Sequence, residues 1–277
     1  MSDLRTKMQD YMELKGYSSK TVGSYIQSVA KYCEYYGKHP KDLNSEHIMN
    51  YLLHLKRDRN LSSVSVNQAY SGLKIFYTQV LKRDWETSIP RSKRVSKLPN
   101  VLSREEVGAI LEAKTNIKHR VILKLLYSTG MRISEICNLK LEDIDSKRML
   151  IRVNQGKGKK DRLTILSKHI LKELREYYLF YRPKKWLFEG YYCKPYSTRS
   201  LQNVFKHAKK KAGISSKCSC HTLRHSFATH LLESGVDIFN IKELLGHSSI
   251  KSTMVYLHVS TKHIQNIVDP LTILQDK

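Results

Sequence analysis

Apolar residues recur at intervals of three and four along most of this chain, and that helical period constrains the fold more than any other feature. One stretch departs from it. Met149–Val153 and Arg162–Leu166 alternate like short strands on either side of NQGKGKKD, a glycine-rich turn suited to a β-hairpin. The first hundred residues predict four helices. Leu4–Lys15 is stopped by Gly16, and Ser18 or Ser19 caps a second helix carrying Val22, Tyr25, Ile26, Val29, Ala30 and Cys33 before Gly37. Asn44 or Ser45 caps a third, with Ile48, Tyr51, Leu52 and Leu55 on one stripe, and Ser62–Leu81 forms a fourth. Short connections make these a small bundle.

Residues 84–100, DWETSIPRSKRVSKLPN, interrupt the pattern with two prolines, a basic run and almost no periodicity, as an extended linker would. The expected division is therefore a first domain over 1–83, a basic linker over 84–100 and a second domain over 101–277. In the second, Ser103 with Glu106 three residues on has the form of a capping box, and Arg120–Ser128 is an apolar helix ended by Gly130. Further helices are expected at 168–181, 198–211, 222–234, 237–245 and 249–258, with an amphipathic segment at 260–268. The fold expected is mainly α in two domains: a four-helix bundle, then a mostly helical domain with one small antiparallel sheet. A chain of 277 residues, 40% of them hydrophobic, can build both cores.

Charge narrows the function. Lys and Arg number 49 against 25 Asp and Glu, a formal charge of +24, and both halves contribute, +8 over residues 1–100 and +16 over the rest. Such self-repulsion costs stability, so it implies a polyanionic partner, nucleic acid above all. A membrane-surface protein would concentrate its charge on one amphipathic helix. No run of 18 apolar residues exists, and the opening MSDLRTKMQDYMELKGYSSK lacks the apolar core of a signal peptide. Five scattered cysteines (33, 137, 193, 218 and 220) argue against a disulfide framework. The expected setting is cytoplasmic, away from the membrane.

Several residues could do chemistry. In CSCHTLRHSFATHLLESGVDI, Leu223, Phe227 and Leu231 share one helix side, while His221, Arg224 and His225 project together from the other, near the helix start. A planar, permanently charged guanidinium there suits a phosphate; a solvated face with one structural histidine is the plainer alternative. The C-x-C-H spacing at Cys218, Cys220 and His221 is not a zinc pattern, and no second cysteine pair follows. In GMRISEI, Arg132 sits among apolar neighbours and needs a partner, for which Glu135 stands three residues on. The lysines of GKGKK, Lys157 among them, occupy a hairpin tip that is not a P-loop, where they could touch phosphate, donate a proton or simply be solvated. In SSIKSTMVYLHV, Tyr256 lies off the stripe of Ile250, Met254 and Leu257, as an exposed nucleophile would, and His247 precedes this helix at a Gly-His turn.

With TGMRISEI, GKGKKDR, HTLRHSFATHLLESGVDI and ELLGHSSIKSTMVY in that order, the chain resembles the tyrosine recombinases of the phage-integrase family, most of all the Xer-type site-specific recombinases, over essentially its whole length. The resemblance implies that residues 1–83 are a SAM-like, core-binding DNA clamp and that 101–277 carry catalysis. It implies Arg132 and Arg224 as the phosphate-clamping arginines, Glu135 as support, Lys157 as proton donor, His221 as proton acceptor, His247 as a further hydrogen-bonding group and Tyr256 as nucleophile. It further implies a 3′-phosphotyrosyl intermediate formed without cofactor, metal or ATP. The partners implied are a double-stranded DNA recombination site and three further copies in a tetramer, with a related recombinase or a DNA translocase as additional possibilities. The segment holding Ile264, Ile267, Val268 and Leu271 would pack into a neighbouring protomer. Relaxation of the type IB topoisomerase kind, and DNA binding without catalysis, are the rival expectations.

Overall fold

The structure is a computed structural model that describes residues 2–85, 89–93, 98–113, 116–154 and 161–260. The chain divides into two compact units, Met1–Lys97 and Leu98–Lys277.

The first unit holds α1 (Ser2–Leu14), α2 (Ser19–Tyr36), α3 (Ser45–Arg57) and α4 (Ser63–Ile75). Local chemistry sets their ends. The side chains of Ser18, Asn44 and Ser62 accept from Thr21 N, His47 N and Ser65 N, covering amides that have no partner in the first helical turn. Met8, Met12, Tyr32, Leu43, Ile48 and Leu73 form the core. Within it Tyr32 Oη and Tyr77 Oη are 3.2 Å apart, and Tyr77 Oη donates to the carbonyl of Pro40, so these buried hydroxyls are satisfied. The fourth helix does not run unbroken to Leu81. From Phe76 to Val80 it widens into a π turn, closed by Leu81 N on Phe76 O at 3.0 Å.

Residues 89–93 carry no helix or strand but pack onto this bundle. Asn67 exchanges two hydrogen bonds with the backbone of Ser92, at 2.7 and 3.0 Å, and Ile89 is buried. Trp85 Nε1 donates to Tyr70 Oη at 3.0 Å.

The second unit begins where Leu102 enters its core and its N–H donates to Ser226 Oγ at 2.9 Å. α5 (Arg104–Glu112) carries the Ser103–Glu106 capping box. α6 (Ile117–Thr129) is the central helix: Val121, Ile122, Leu123 and Leu125 are wholly buried. A five-residue helix, α7 (Ile133–Cys137), follows. The sheet has three strands rather than the expected two, in the antiparallel order β1 (Ile144–Asp145), β2 (Leu150–Val153) and β3 (Arg162–Ile165). The added strand is only two residues long, too short to show alternation. β2 and β3 pair with Val153 opposite Arg162. Around them stand α8 (Lys168–Tyr181), α9 (Thr198–Lys211), α10 (Cys220–Glu233), α11 (Ile238–Leu245) and α12 (Lys251–Met254). The segment expected at 260–268 lies outside the described residues beyond Ser260, as do Ile264, Ile267, Val268 and Leu271. Among the described residues no helix is long and apolar enough to cross a membrane.

Candidate active site

The site forms where the α6–α7 turn, β3, α10 and the α11–α12 turn meet. Gly130 makes the first bend possible. It ends α6 at φ +59°, and a Cβ there would lie 2.4 Å from the Phe227 ring, so both its conformation and its neighbours require glycine. The bend aims the Gly130 carbonyl at α10 and delivers Arg132 to the start of α7.

Arg132 is held by Glu135. Its Nη1 donates to Glu135 Oε1 at 2.6 Å, its backbone N–H to Oε2 at 2.7 Å, and its Nη2 reaches the Gly246 carbonyl at 3.4 Å. The other side of the carboxylate belongs to Arg162, whose Nη1 and Nη2 bond Oε1 and Oε2 at 2.9 and 2.7 Å while Nε donates to the Leu244 carbonyl at 3.0 Å. Burial alone would raise the Glu135 pKa. The bonds from Arg162 and the Arg132 backbone, with the Arg162 charge, outweigh it and hold the group at about 2.

The sequence places Arg162 only at the start of a strand and assigns it no part in the site. Alternation along β3 carries the signal that places it: Thr164 and Leu166 are buried, so Arg162 shares their inward face, whereas Leu163 and Ile165 are exposed.

α10 is buried on nearly every side, not on a single apolar face, with Thr222, Arg224, Ser226 and Thr229 enclosed beside Leu223 and Phe227. Arg224 is only 1% exposed. Its Nη1 donates to Gly130 O at 2.5 Å and its Nη2 to Leu245 O at 2.7 Å. Burial, then the nearby Arg132 charge, bring its pKa to about 10, still a cation at neutral pH. Three guanidinium groups thus surround one carboxylate, and the excess positive charge in a partly enclosed place favours an anion. Ser219 caps this helix through His221 N, and Cys220, its first residue, is buried in the core. Among the described residues no group of three Cys, His, Asp or Glu side chains is arranged to hold a metal.

His221 stays at the exposed mouth of the site, its ring centroid 4.4 Å from that of His225. Partial burial of the ring and the Arg224 and Arg132 charges lower its pKa. His247 follows Gly246, a second left-handed glycine at φ +62° packed on the Arg162 side chain, and its Nδ1 pairs with Thr253 Oγ1 at 2.9 Å. Burial and the same two arginines bring His247 to about 3.

Tyr256 departs from the exposed position expected of it. It is 1% exposed and packs with Phe227, Ala228, Leu232, Ile241 and Leu245, while Met254 of the supposed inward stripe is 44% exposed. The helix expected over 249–258 spans only Lys251–Met254 and gives way to turns, so the 3.6-residue period does not extend to Tyr256. Thr253 and Tyr256 turn inward instead. Tyr256 Oη lies 3.0 Å from His225 Nδ1. Burial raises its pKa, against the lowering pull of Arg224 and Arg132. Arg132, Glu135, His221, Arg224, His247 and Tyr256 are all among the groups so described; Lys157 lies outside the described residues.

The chain is similar to known proteins in sequence and in fold. The phage integrase family model matches residues 100–263, and the phage integrase N-terminal SAM-like domain matches residues 4–87. The y4qK protein of Sinorhizobium fredii is 38% identical over 99% of this chain and 90% of its own length. Tyrosine recombinase XerA of Thermococcus kodakarensis is 34% identical over 97% of this chain and 95% of its own. A crystal structure of a lambda integrase tetramer bound to a Holliday junction superposes with a TM-score of 0.74 at 18% identity, covering 92% of this chain and 76% of that one, a likeness of fold. The chain belongs to the phage integrase family and is an Xer-like tyrosine recombinase, an enzyme of the kind that cleaves and rejoins DNA.

Proposed function

We propose that this enzyme exchanges strands between two specific DNA sites, as a tetramer, through a 3′-phosphotyrosyl intermediate. The observation that carries the reading is the grouping of Arg132, Arg224, His247 and a buried tyrosine around an excess of positive charge. A scissile phosphodiester entering there meets the Arg132 and Arg224 guanidinium groups, which hold its non-bridging oxygens as charge develops on them. Tyr256 Oη attacks phosphorus, and the 5′ oxygen leaves with a proton from Lys157. His247 adds a hydrogen bond, and His221, in the pattern the family resemblance implies, receives the tyrosine's proton. Glu135 keeps Arg132 in place. The phosphotyrosyl bond conserves the energy of the phosphodiester, so a 5′-hydroxyl from a second duplex can reverse the step. The lambda integrase tetramer on a Holliday junction supports the assembly through its shared fold, and the charge of +24 supports binding to DNA.

The test is strand exchange between two differently labelled duplexes that carry one trapped cleavage site. Joined molecules with exchanged flanks, formed by a protein–DNA complex of four protomers, are expected. Relaxation of supercoiled plasmid without sequence preference and without exchange would move the assignment to a topoisomerase.

A further inference from the structure

α11 ends by giving three consecutive carbonyls to arginines. Gly246 N and His247 N close its last turn on the Glu243 and Lys242 carbonyls, at 3.0 and 3.1 Å. The carbonyls of Leu244, Leu245 and Gly246 then each accept from a different guanidinium: Arg162 Nε at 3.0 Å, Arg224 Nη2 at 2.7 Å and Arg132 Nη2 at 3.4 Å. The last carbonyls of a helix carry partial negative charge, so cations are favoured there. One helix end thereby spaces the three cations of the site.

Arg162 is committed to the protein through every nitrogen. Nε donates to Leu244 O, while Nη1 and Nη2 form a fork on Glu135 at 2.9 and 2.7 Å. Its side chain is 9% exposed, against 21% for Arg132. Arg132 makes one short side-chain bond, to Glu135, and its longer contact with Gly246 O is one that a phosphate oxygen can replace. The stem of Arg162 passes where a side chain on residue 246 would stand, since a Cβ there would lie 2.6 Å from Arg162 Cδ. β3 is itself anchored: Thr164, on the same inward face, donates from Oγ1 to Thr129 O at 3.0 Å, just ahead of the Gly130 bend. A single strand thus ties the α6–α7 turn to the end of α11.

We infer that Arg162 is a positioning residue for the cleavage step: it sets Arg132 toward the phosphate by holding Glu135 and the end of α11, and touches no substrate itself. Each Glu135 oxygen accepts one bond from Arg132 and one from Arg162. Without the fork the carboxylate can turn, and Arg132 turns with it. A lysine at 162 would keep the charge but could not supply the fork and the Nε bond together. This inference rests on the recombination reading above, in which Arg132 holds a non-bridging oxygen.

The experiment is single-turnover cleavage by the full-length protein of a duplex recovered by SDS trapping from fragmented DNA. The duplex is made once with its ordinary scissile phosphodiester and once with a methylphosphonate there, which removes the charge that the guanidinium groups neutralise. Arg162→Lys is expected to slow cleavage of the phosphodiester about 10–10²-fold, the scale of a misplaced group, with duplex binding unchanged in a gel shift. On the methylphosphonate the loss should shrink to a few-fold. Arg162→Gln, a neutral second variant, is expected to be slower still on the phosphodiester and to converge in the same way. Arg132→Ala, the comparison, should converge most. The ratio between the two substrates is read on one preparation, so a smaller folded fraction cancels. Native rates in Arg162→Lys, or an equal loss on both substrates where Arg132→Ala converges, would overturn the positioning role and leave the recombinase reading intact. No convergence in Arg132→Ala would overturn the hold of Arg132 on the phosphate, and this inference with it.

Discussion

Removing the charge of Glu135 should destabilise the second unit by an amount the structure lets one work out. The carboxylate is held at about 2, against an ordinary value of 4.5, by bonds from Arg162 and Arg132. At 1.36 kcal/mol per pKa unit this corresponds to about 3 kcal/mol of stability at neutral pH. The figure meets the lower end of the roughly 3–5 kcal/mol that follows when one partner of a buried ion pair is removed. Because the folded-state pKa is depressed, the contribution is complete above about pH 4.5 and is lost as pH falls through about 2. Glu135→Gln should therefore lower the unfolding free energy by about 3 kcal/mol at pH 7. At pH 3.5, where the native carboxylate has already given up about 1.4 kcal/mol, the gap between native and variant should narrow by that amount. Urea denaturation of both proteins at the two pH values measures it. A gap of equal size at both, or one below about 0.5 kcal/mol at pH 7, the scale of an ordinary surface change, would refute the idea that Glu135 carries buried charge between two arginines.

Two further substitutions probe the same architecture. Gly130→Ala should cost about 3 kcal/mol, from a left-handed residue that now carries a Cβ and from the 2.4 Å approach to Phe227; an unchanged denaturation midpoint would remove Gly130 from its role at the turn. Arg224→Ala should slow cleavage about 10²–10³-fold, the scale for losing a group that stabilises developing charge, while duplex binding measured by gel shift persists; native cleavage rates would take it out of the site.

Much of this was legible from residue spacing. Asn44, Ser62, Ser103 with Glu106, and the glycines at 37 and 130 mark helix ends because capping is a local transaction between neighbouring side chains and amides. The Arg132–Glu135 pair was legible for the same reason, as partners three residues apart. What stayed hidden depends on contacts distant in sequence. Arg162 meets Glu135 across 27 residues, and Tyr256 meets His225 across 31. No periodicity records such a meeting. Tyr256 also misled because helical geometry was extended over a segment that is a single turn of helix followed by turns. In α10, Ser226 fills a core position because its hydroxyl donates to Thr222 O and accepts from Leu102 N, so polarity there does not mark a solvated face.

The most direct test of the central claim is covalent trapping of the enzyme on fragmented DNA in the presence of EDTA, comparing native protein with Tyr256→Phe. SDS-resistant adducts confined to a few sequences and absent from Tyr256→Phe are predicted, with noncovalent binding retained by both. Adducts that persist in Tyr256→Phe, or none from the native protein on DNA it demonstrably binds, would contradict Tyr256 as the nucleophile.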